Sequence, residues 1–404
     1  VLGWIASVPK SSTLLLVILI VLTVVVTPAF QDSGLKVVAP SRHRFESQLP
    51  VGIRESLWRR RIPTNNPITQ PKVSLGEALF FDKRLSADGT VSCATCHDPS
   101  NAFTDRGVLT TGISNKLGVR NAPTILNSMF SDQLFWDGRV GSLEEQAKQP
   151  ITNAFEMGMG DSAAVVSRLE ALPQYQTMFQ TAFGREGITI DTIVKAIAAY
   201  ERTLISGNSP FDRFIAGDVK AISESQKRGW ELFKGKAKCI ECHAFTEASP
   251  FFSDFKFHNT GIVAKEFSSE RLNGLAKEMT SNNHRNAAPV LAHIKGFSEL
   301  GRYLVTRNPQ DVGAFKTPTL RDVELTTPYM HDGSEKTLLD IVRYYNRGGT
   351  KNPNLSKRIH SLGLTDQEMN NLVEFMRALT SDDVLRRAQS SIPQNRNAIP
   401  LRKH

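Results

Sequence analysis

Two short cysteine–histidine motifs carry the clearest chemistry in this 404-residue chain: residues 93–97 read CATCH and residues 239–243 read CIECH. Both match C-x-x-C-H, in which two thiols bond to the vinyl groups of a c-type haem and the adjacent imidazole binds its iron. All four cysteines are used, and neither motif has the further nearby ligands that zinc requires. The pattern therefore predicts two covalent haems rather than disulfides. The predicted attachment residues are Cys93, Cys96 and His97 for the first haem, and Cys239, Cys242 and His243 for the second.

The segments around both motifs have helical rather than strand periodicity. Ile193, Ile197 and Tyr200 share one helical face, and capping-box spellings begin at Ser223, Thr337 and Thr365. The motifs lie about 146 residues apart, and turn-forming residues 206–210 separate them. We therefore expect a mainly α protein with an N-terminal haem domain at 71–210 and a C-terminal haem domain at 211–385, one haem in each.

The chain ends differ in character from the centre. Residues 13–30 are almost entirely apolar, which predicts that 1–30 is a signal peptide or a membrane anchor and that the protein is exported. The proline-rich, polar stretch 31–70 is expected to form an extended tether, and 386–404 a loose tail. The net charge is +9, but Lys and Arg are dispersed without a basic run interleaved with aromatics, which argues against nucleic-acid binding.

Several longer stretches resemble the bacterial di-haem cytochrome c peroxidase/MauG family. They are LFFD at 79–82, RLS at 84–86, FWDGR at 135–139, FKTPTLR at 315–321 and PYMHDG at 328–333. With the two haem motifs, they cover roughly residues 70–382 in the family's order. The resemblance implies two cytochrome-c-like helical domains that face each other, and a periplasmic enzyme that uses hydrogen peroxide.

The resemblance also implies roles for three side chains around the first haem. Glu156 corresponds to the distal glutamate that moves a proton between the two oxygens of peroxide, and Gln146 to a glutamine that orients peroxide or water. Trp136 corresponds to the tryptophan that passes electrons between the haems. Without the resemblance, Glu156 and Gln146 would be read as surface residues and Trp136 as core packing.

Two positions favour the MauG-like branch. Where peroxidase-branch proteins carry a loop histidine that closes the first haem, this chain has Ile113, and no histidine lies between His97 and Trp136. At the position of the second iron's sixth ligand, the peroxidase branch has methionine and this chain has Tyr345. Tyr345 continues the helical stripe of Leu338, Ile341 and Val342, whereas Tyr344 is turned about 100° away. Met330 and His331 are the alternative ligands.

A calcium ion is a further expectation from the resemblance. Asn121 and the backbone carbonyls of Thr326 and Pro328 correspond to the calcium site between the family's domains, and oxygen ligands of this kind suit calcium.

We therefore expect a MauG-like, peroxide-dependent oxidoreductase that uses high-valent haem iron to oxidise a partner protein. The alternatives are a peroxidase that takes electrons from a small cytochrome or cupredoxin, and a non-enzymatic carrier with two closed haems. Ala237 replaces the tryptophan through which MauG is proposed to reach its amine dehydrogenase, which argues against quinone-cofactor maturation. Trp230 is another possible exit, Met157 and Met159 are candidates for self-oxidation, and 251–308 is a candidate docking segment.

Overall fold

The structure, a computed structural model, describes residues 49–281 and 287–390. The predicted signal peptide or anchor at 1–30 lies outside these residues, as do 31–48 of the tether and 391–404 of the tail. Within the described residues, no helix is both long enough and apolar enough to cross a membrane.

The described chain is mainly helical, as predicted. The α-helices are α1 Glu55–Arg60, α2 Gln70–Phe81, α3 Cys93–Cys96, α4 Leu143–Thr152, α5 Ser162–Glu170, α6 Pro173–Phe183, α7 Ile190–Glu201, α8 Pro210–Ile215, α9 Glu224–Lys234, α10 Ser269–Ser281, α11 Ala288–Leu291, α12 Tyr303–Thr306, α13 Leu338–Asn346, α14 Asp366–Arg377 and α15 Asp382–Ser390. In the described residues the only sheet is an antiparallel pair, β1 Phe257–His258 with β2 Phe315–Lys316.

Two close helix crossings organise the two halves of the chain. A Cβ atom on Gly76 of α2 would lie 1.9 Å from the Ala196 carbonyl oxygen of α7, so only glycine allows these backbones to approach so closely. In the second half, Gly229 of α9 crosses α14 in the same way, with Asn371 oxygen 2.0 Å from the position of its missing Cβ. The apolar faces of the two pairs form separate cores.

Several helices begin where the sequence predicts. The side chains of Ser223, Thr337 and Thr365 each accept a hydrogen bond from the backbone N–H three residues on, and each forms a complete capping box. Ile193 and Ile197 are fully buried on α7, as their spacing indicates. Local signals are sufficient here because caps and periodicity act within a few residues.

Of two smaller apolar clusters, one connects the halves and one lies within the second half. One joins Met129 and Phe130 of the first half to Phe251 of the second, and the Phe130 and Phe251 rings stack at 4.3 Å. The other lies between residues 263 and 312, where α10, α11 and α12 share a core. The predicted docking segment 251–308 thus has an ordered interior over much of its described length.

Segments at both ends of the described chain form helices and bury apolar side chains, which the sequence did not indicate. Within the predicted tether α1 forms, and Leu57 of this helix and Ile53 just before it are buried in the apolar cluster with Phe130. At the other end, α15 runs into the predicted tail, and its Val384 packs into the first-half core. Apolar side chains in these polar stretches find partners far away in sequence, which composition does not reveal.

The connection at 206–210 is held by buried polar bonds. Ser209 donates from its backbone N and its Oγ to Asp212 Oδ2, each at 2.9 Å. Asp212 also forms a bidentate ion pair with Arg321 at 2.8 and 2.7 Å, and both side chains are 2% exposed. The turn residues therefore form a fixed junction.

We predict that Asp212→Asn destabilises the protein by roughly 3–5 kcal/mol, because it leaves the Arg321 guanidinium buried without its counter-charge. The measurement is the urea dependence of unfolding, followed by far-UV circular dichroism. Glu231→Gln removes the partner of an exposed ion pair with Lys234 and serves as control, with no shift of the midpoint. Equal midpoints for the two variants would contradict the prediction.

Candidate haem-binding site

A single cavity of about 440 Å³ contains the side chains of both C-x-x-C-H motifs on its walls. Its volume is in the range of cofactor sites, and its lining is mostly apolar. The cavity also brings together the other residues predicted from the sequence, namely Trp136, Gln146, Glu156, Tyr345, Asn121, Thr326 and Pro328. Residues from both halves of the chain therefore build one site.

The two motif histidines are oriented in the same way. His97 Nδ1 lies 3.1 Å from the Phe103 carbonyl oxygen, and His243 Nδ1 lies 3.0 Å from that of Phe252. A carbonyl can only accept, so each Nδ1 carries the proton and each Nε2 is the nitrogen that can bind iron. Burial lowers the pKa of both imidazoles, which favours the neutral form that a metal needs.

The remaining lining fits haem as well. All four cysteines are free thiols. Basic side chains stand on the otherwise apolar wall, among them Lys316 and Arg358, and can meet the carboxylates that a haem carries. His258 is one of them: its ion pair with Asp254 at 2.9 Å raises its pKa to about 9. The donor set, the cations and the apolar walls together suit two c-type haems.

Helix α4 and the turn after it build one side of the first motif's surroundings. Ser142 caps α4, and Gln146, Ala147 and Pro150 face the cavity from successive turns. Glu156 follows in the turn after α4, and its backbone carbonyl oxygen accepts a hydrogen bond from Ile113 N at 2.9 Å. Burial raises the pKa of Glu156, although Arg139 and Asn153 act in the opposite direction. Gln146 and Glu156 therefore both line this cavity, and their roles stay predictions.

Sequence reasoning missed His293, which lies on the same wall. Its Nε2 is 3.0 Å from Asn153 Nδ2, and its Nδ1 is 3.8 Å from Glu156 Oε1. His293 and Asn153 are 140 positions apart, and no local motif marks the histidine. Only long-range packing brings it to the cavity.

Trp136 stands where the two halves meet. Its indole Nε1 donates to the Asn121 carbonyl oxygen at 2.9 Å, and its own carbonyl accepts from Lys316 N at 2.9 Å. The next residue, Asp137, is fully buried between Arg120 at 2.6 Å and Arg139 at 3.0 Å. The tryptophan is therefore held on both sides by fixed polar bonds.

Helix α13 presents Tyr345 to the cavity together with Ile341 and Val342. Burial, and then the nearby Cys242, raise the pKa of Tyr345. Tyr344 is turned away from the cavity, as its helical phase predicts, but the residue is only 3% exposed. It packs on a second buried surface, where its hydroxyl donates to the Thr260 carbonyl oxygen at 3.0 Å. Tyr345 alone of the two lines the site.

The alternative ligands also lie on the wall, but His331 has other partners. Its Nε2 is 2.9 Å from Glu299 Oε2, and its ring stacks on Phe315 at 3.7 Å between centroids. Met330 lines the cavity at a position with φ 70°. Trp230, the exit suggested by the sequence, packs among aromatic side chains of the second core and is not on the wall. Ala237, which stands where MauG has its exit tryptophan, does line the wall.

The comparisons with known proteins agree with this site. A family model described as di-haem cytochrome c peroxidase matches residues 70–220. The chain is 38% identical over 342 residues to the cytochrome-c peroxidase IdrP1 of Denitromonas iodatirespirans, covering 82% of this chain and 87% of that one. It is 38% identical over 319 residues to the methylamine utilization protein MauG of Methylophilus methylotrophus, covering 78% and 84%. The chain belongs to the di-haem cytochrome c peroxidase family.

A solved structure supports the same assignment. The crystal structure of a MauG-like protein associated with microbial copper homeostasis superposes with a TM-score of 0.67 at 32% identity, covering 80% of this chain and 93% of that one. As a member of the family, this protein is a peroxide-dependent di-haem oxidoreductase with a helical, cytochrome-c-like fold. The names of its relatives divide between peroxidase and MauG, so they establish the reaction class and leave the branch open.

We predict that replacing the cysteines of one motif removes one haem and leaves the other. The double variants Cys93→Ala/Cys96→Ala and Cys239→Ala/Cys242→Ala should each show half the wild-type pyridine haemochrome absorbance per chain. Glu241→Gln changes a residue between the cysteines of the second motif and is the control, with full haem content. Undiminished covalent haem in either double variant would refute the assignment of that motif.

Proposed function

We propose that this family member is MauG-like: it uses hydrogen peroxide to oxidise a partner protein, and it does so from the fully oxidised state. The observation that carries the proposal is Tyr345 on the cavity wall beside the second motif, with Tyr344 bound elsewhere. The absence of a histidine between His97 and Trp136 supports it, because no loop imidazole from that stretch can close the first haem.

The haems, when bound through the two motifs, supply the iron that takes up the oxidising equivalents of peroxide. The chain supplies the proton chemistry. Glu156 takes a proton from one oxygen of peroxide and returns it to the other, which then leaves as water. Gln146, which faces the same cavity from α4, orients peroxide by hydrogen bonding. Because burial raises the pKa of Glu156, its carboxylate form is lost as the pH falls through that raised value.

Trp136 is proposed as the electron route between the two haem positions. It lies on the cavity wall where the halves meet, and its indole is fixed by the bond to the Asn121 carbonyl. A fixed aromatic ring suits electron transfer because little rearrangement accompanies the charge movement.

His243 and Tyr345 both line the cavity, and we propose that these two residues would hold the iron of a haem bound at the second motif. Burial disfavours the phenolate, and a bound iron cation would reverse that preference. A phenolate oxygen is a harder ligand than a thioether and favours iron in higher oxidation states. The engagement of His331 with Glu299 argues against that histidine as the ligand.

We also propose a calcium ion at Asn121 and the carbonyls of Thr326 and Pro328, which share the cavity wall between the halves. The amide nitrogen of Asn121 donates to the Gly107 carbonyl at 3.0 Å, so its side-chain oxygen is the atom available to a cation. We further propose export to the periplasm, with residues 1–30 as signal peptide or anchor. The partner's docking surface is proposed within 251–308.

The second candidate is a peroxidase that draws electrons from a small cytochrome or cupredoxin, as the name of the IdrP1 relative suggests. It shares Glu156, Gln146 and the haems. It differs in requiring reduction of one haem before peroxide reacts, and this difference makes the two candidates separable.

We predict that Glu156→Gln slows the reaction with peroxide by about 10²–10⁴-fold at neutral pH, because the amide cannot take the proton. Stopped-flow spectroscopy of the oxidised protein measures the rate. Glu145→Gln, on the exposed side of α4, is the matched control and should react at the wild-type rate. A wild-type rate in Glu156→Gln would remove this residue from the mechanism.

We predict that Tyr345→Met abolishes the sharing of oxidising equivalents by both haems. One equivalent of peroxide added to oxidised, never-reduced wild type should change the optical and electron paramagnetic resonance spectra of both haems at once. In the variant the change should be confined to the first haem. If wild type does not react until one haem is reduced, the peroxidase alternative is correct and the MauG-like proposal is wrong.

A further inference from the structure

His293 reaches the peroxide side of the cavity from a small core of its own. It lies just after α11. The two residues before it, Leu291 and Ala292, are buried with Phe267 and Leu304 in the cluster between residues 263 and 312. This core belongs to the second half of the chain, whereas Glu156 belongs to the first. The imidazole is therefore carried to Glu156 on a separate packed unit.

The hydrogen bonds of His293 fix which ring nitrogen carries the proton. Its Nε2 faces two donors, Asn153 Nδ2 at 3.0 Å and Arg139 Nη2 at 3.4 Å. An amide nitrogen and a guanidinium nitrogen can only donate, so Nε2 is an acceptor and the proton of the neutral ring lies on Nδ1. The Nδ1–H side faces Glu156 Oε1, 3.8 Å away.

The charges around His293 keep the ring neutral. Burial lowers its pKa to about 4, and Arg139 and then Arg120 add to this effect, while Asp137 opposes it. Arg139 is also paired with Asp137, and the Glu156 carboxylate lies 3.8 Å from the imidazole Nδ1. At neutral pH the ring is thus a neutral donor with a fixed tautomer.

We propose that His293 is a positioning residue for the acid–base step at the first haem: its Nδ1–H donates to the Glu156 carboxylate, stabilising the base form and holding it toward peroxide. The inference rests on the proposed role of Glu156. His293 itself neither gains nor loses a proton. Glu156 receives the peroxide proton and passes it to the leaving oxygen, so the proton count of the step is unchanged.

The separation of 3.8 Å is longer than a hydrogen bond, and a shift of less than 1 Å closes it. Hydrogen bonds of catalytic groups are commonly long in the free enzyme and shorten when substrate binds. A donor to a carboxylate lowers the pKa of that carboxylate, and it therefore counteracts the effect of burial on Glu156.

The test compares three substitutions in the haem-loaded protein. In His293→Asn the side-chain amide N–H falls near the position of Nδ1 and keeps the donor. His293→Gln puts its amide near Nε2 instead, and His293→Leu has no donor. In the Gln and Leu variants, we expect the acid limb of the pH–rate profile for peroxide to move to higher pH by about one unit. Below the limb, the rate in these variants should be about tenfold lower than in wild type. In the Asn variant the limb should stay in place.

A second readout is independent of turnover. The infrared band of the protonated carboxyl of Glu156, identified by its loss in Glu156→Gln, is titrated with pH in each variant. The midpoint should rise by the same unit in His293→Gln and His293→Leu. Val290→Asn changes an exposed residue of α11, the helix just before His293, and is the control, with wild-type midpoint and rate.

The outcomes separate this inference from the proposed function. If Glu156→Gln is slow but none of the His293 variants moves the infrared midpoint, or if the midpoint falls, the role of His293 is refuted and that of Glu156 stands. If Glu156→Gln reacts at the wild-type rate, both are refuted. A slow His293→Leu with an unmoved midpoint would mean that the residue is only structural.

Discussion

The structure around the cavity depends on one buried carboxylate, Asp137. An unpaired carboxylate in this position would cost several kcal/mol, and burial alone would raise its pKa. Arg120 and Arg139 outweigh that effect and hold the pKa of Asp137 below its ordinary value. Because the two cations are needed to compensate the charge, the segments that carry them are fixed relative to Trp136.

The same ion pairs extend to the groups proposed to act on peroxide. Arg139 donates from Nε to Gln149 of α4 at 2.8 Å and thus anchors the helix that carries Gln146. It also faces His293 and lowers the pKa of Glu156. Arg120 donates to the Ser298 carbonyl in the second half. One charge cluster therefore connects the distal groups, the tryptophan and the segment 263–312.

Sequence patterns predicted the features that depend on residues close together in the chain. The two C-x-x-C-H motifs, the capped starts of α9, α13 and α14, and the cavity-facing phase of Tyr345 all follow from rules that span a few residues. The resemblance to the family added Glu156 and Gln146, which spacing alone would have left on the surface. Helical phase did not predict the burial of Tyr344. This residue points away from the cavity-facing side of α13, and another segment of the chain covers it.

What the sequence did not predict comes from contacts between distant segments. His293 lies in a stretch read as a docking region, yet its inner side completes the surroundings of Glu156. The burial of Ile53, Leu57 and Val384 has the same origin. Because the distal side of the first haem position is built from both halves, the acid–base properties of Glu156 depend on how the second half packs. The donor that tunes a base in one half can thus be supplied by a segment of the other without any change in the family's motifs.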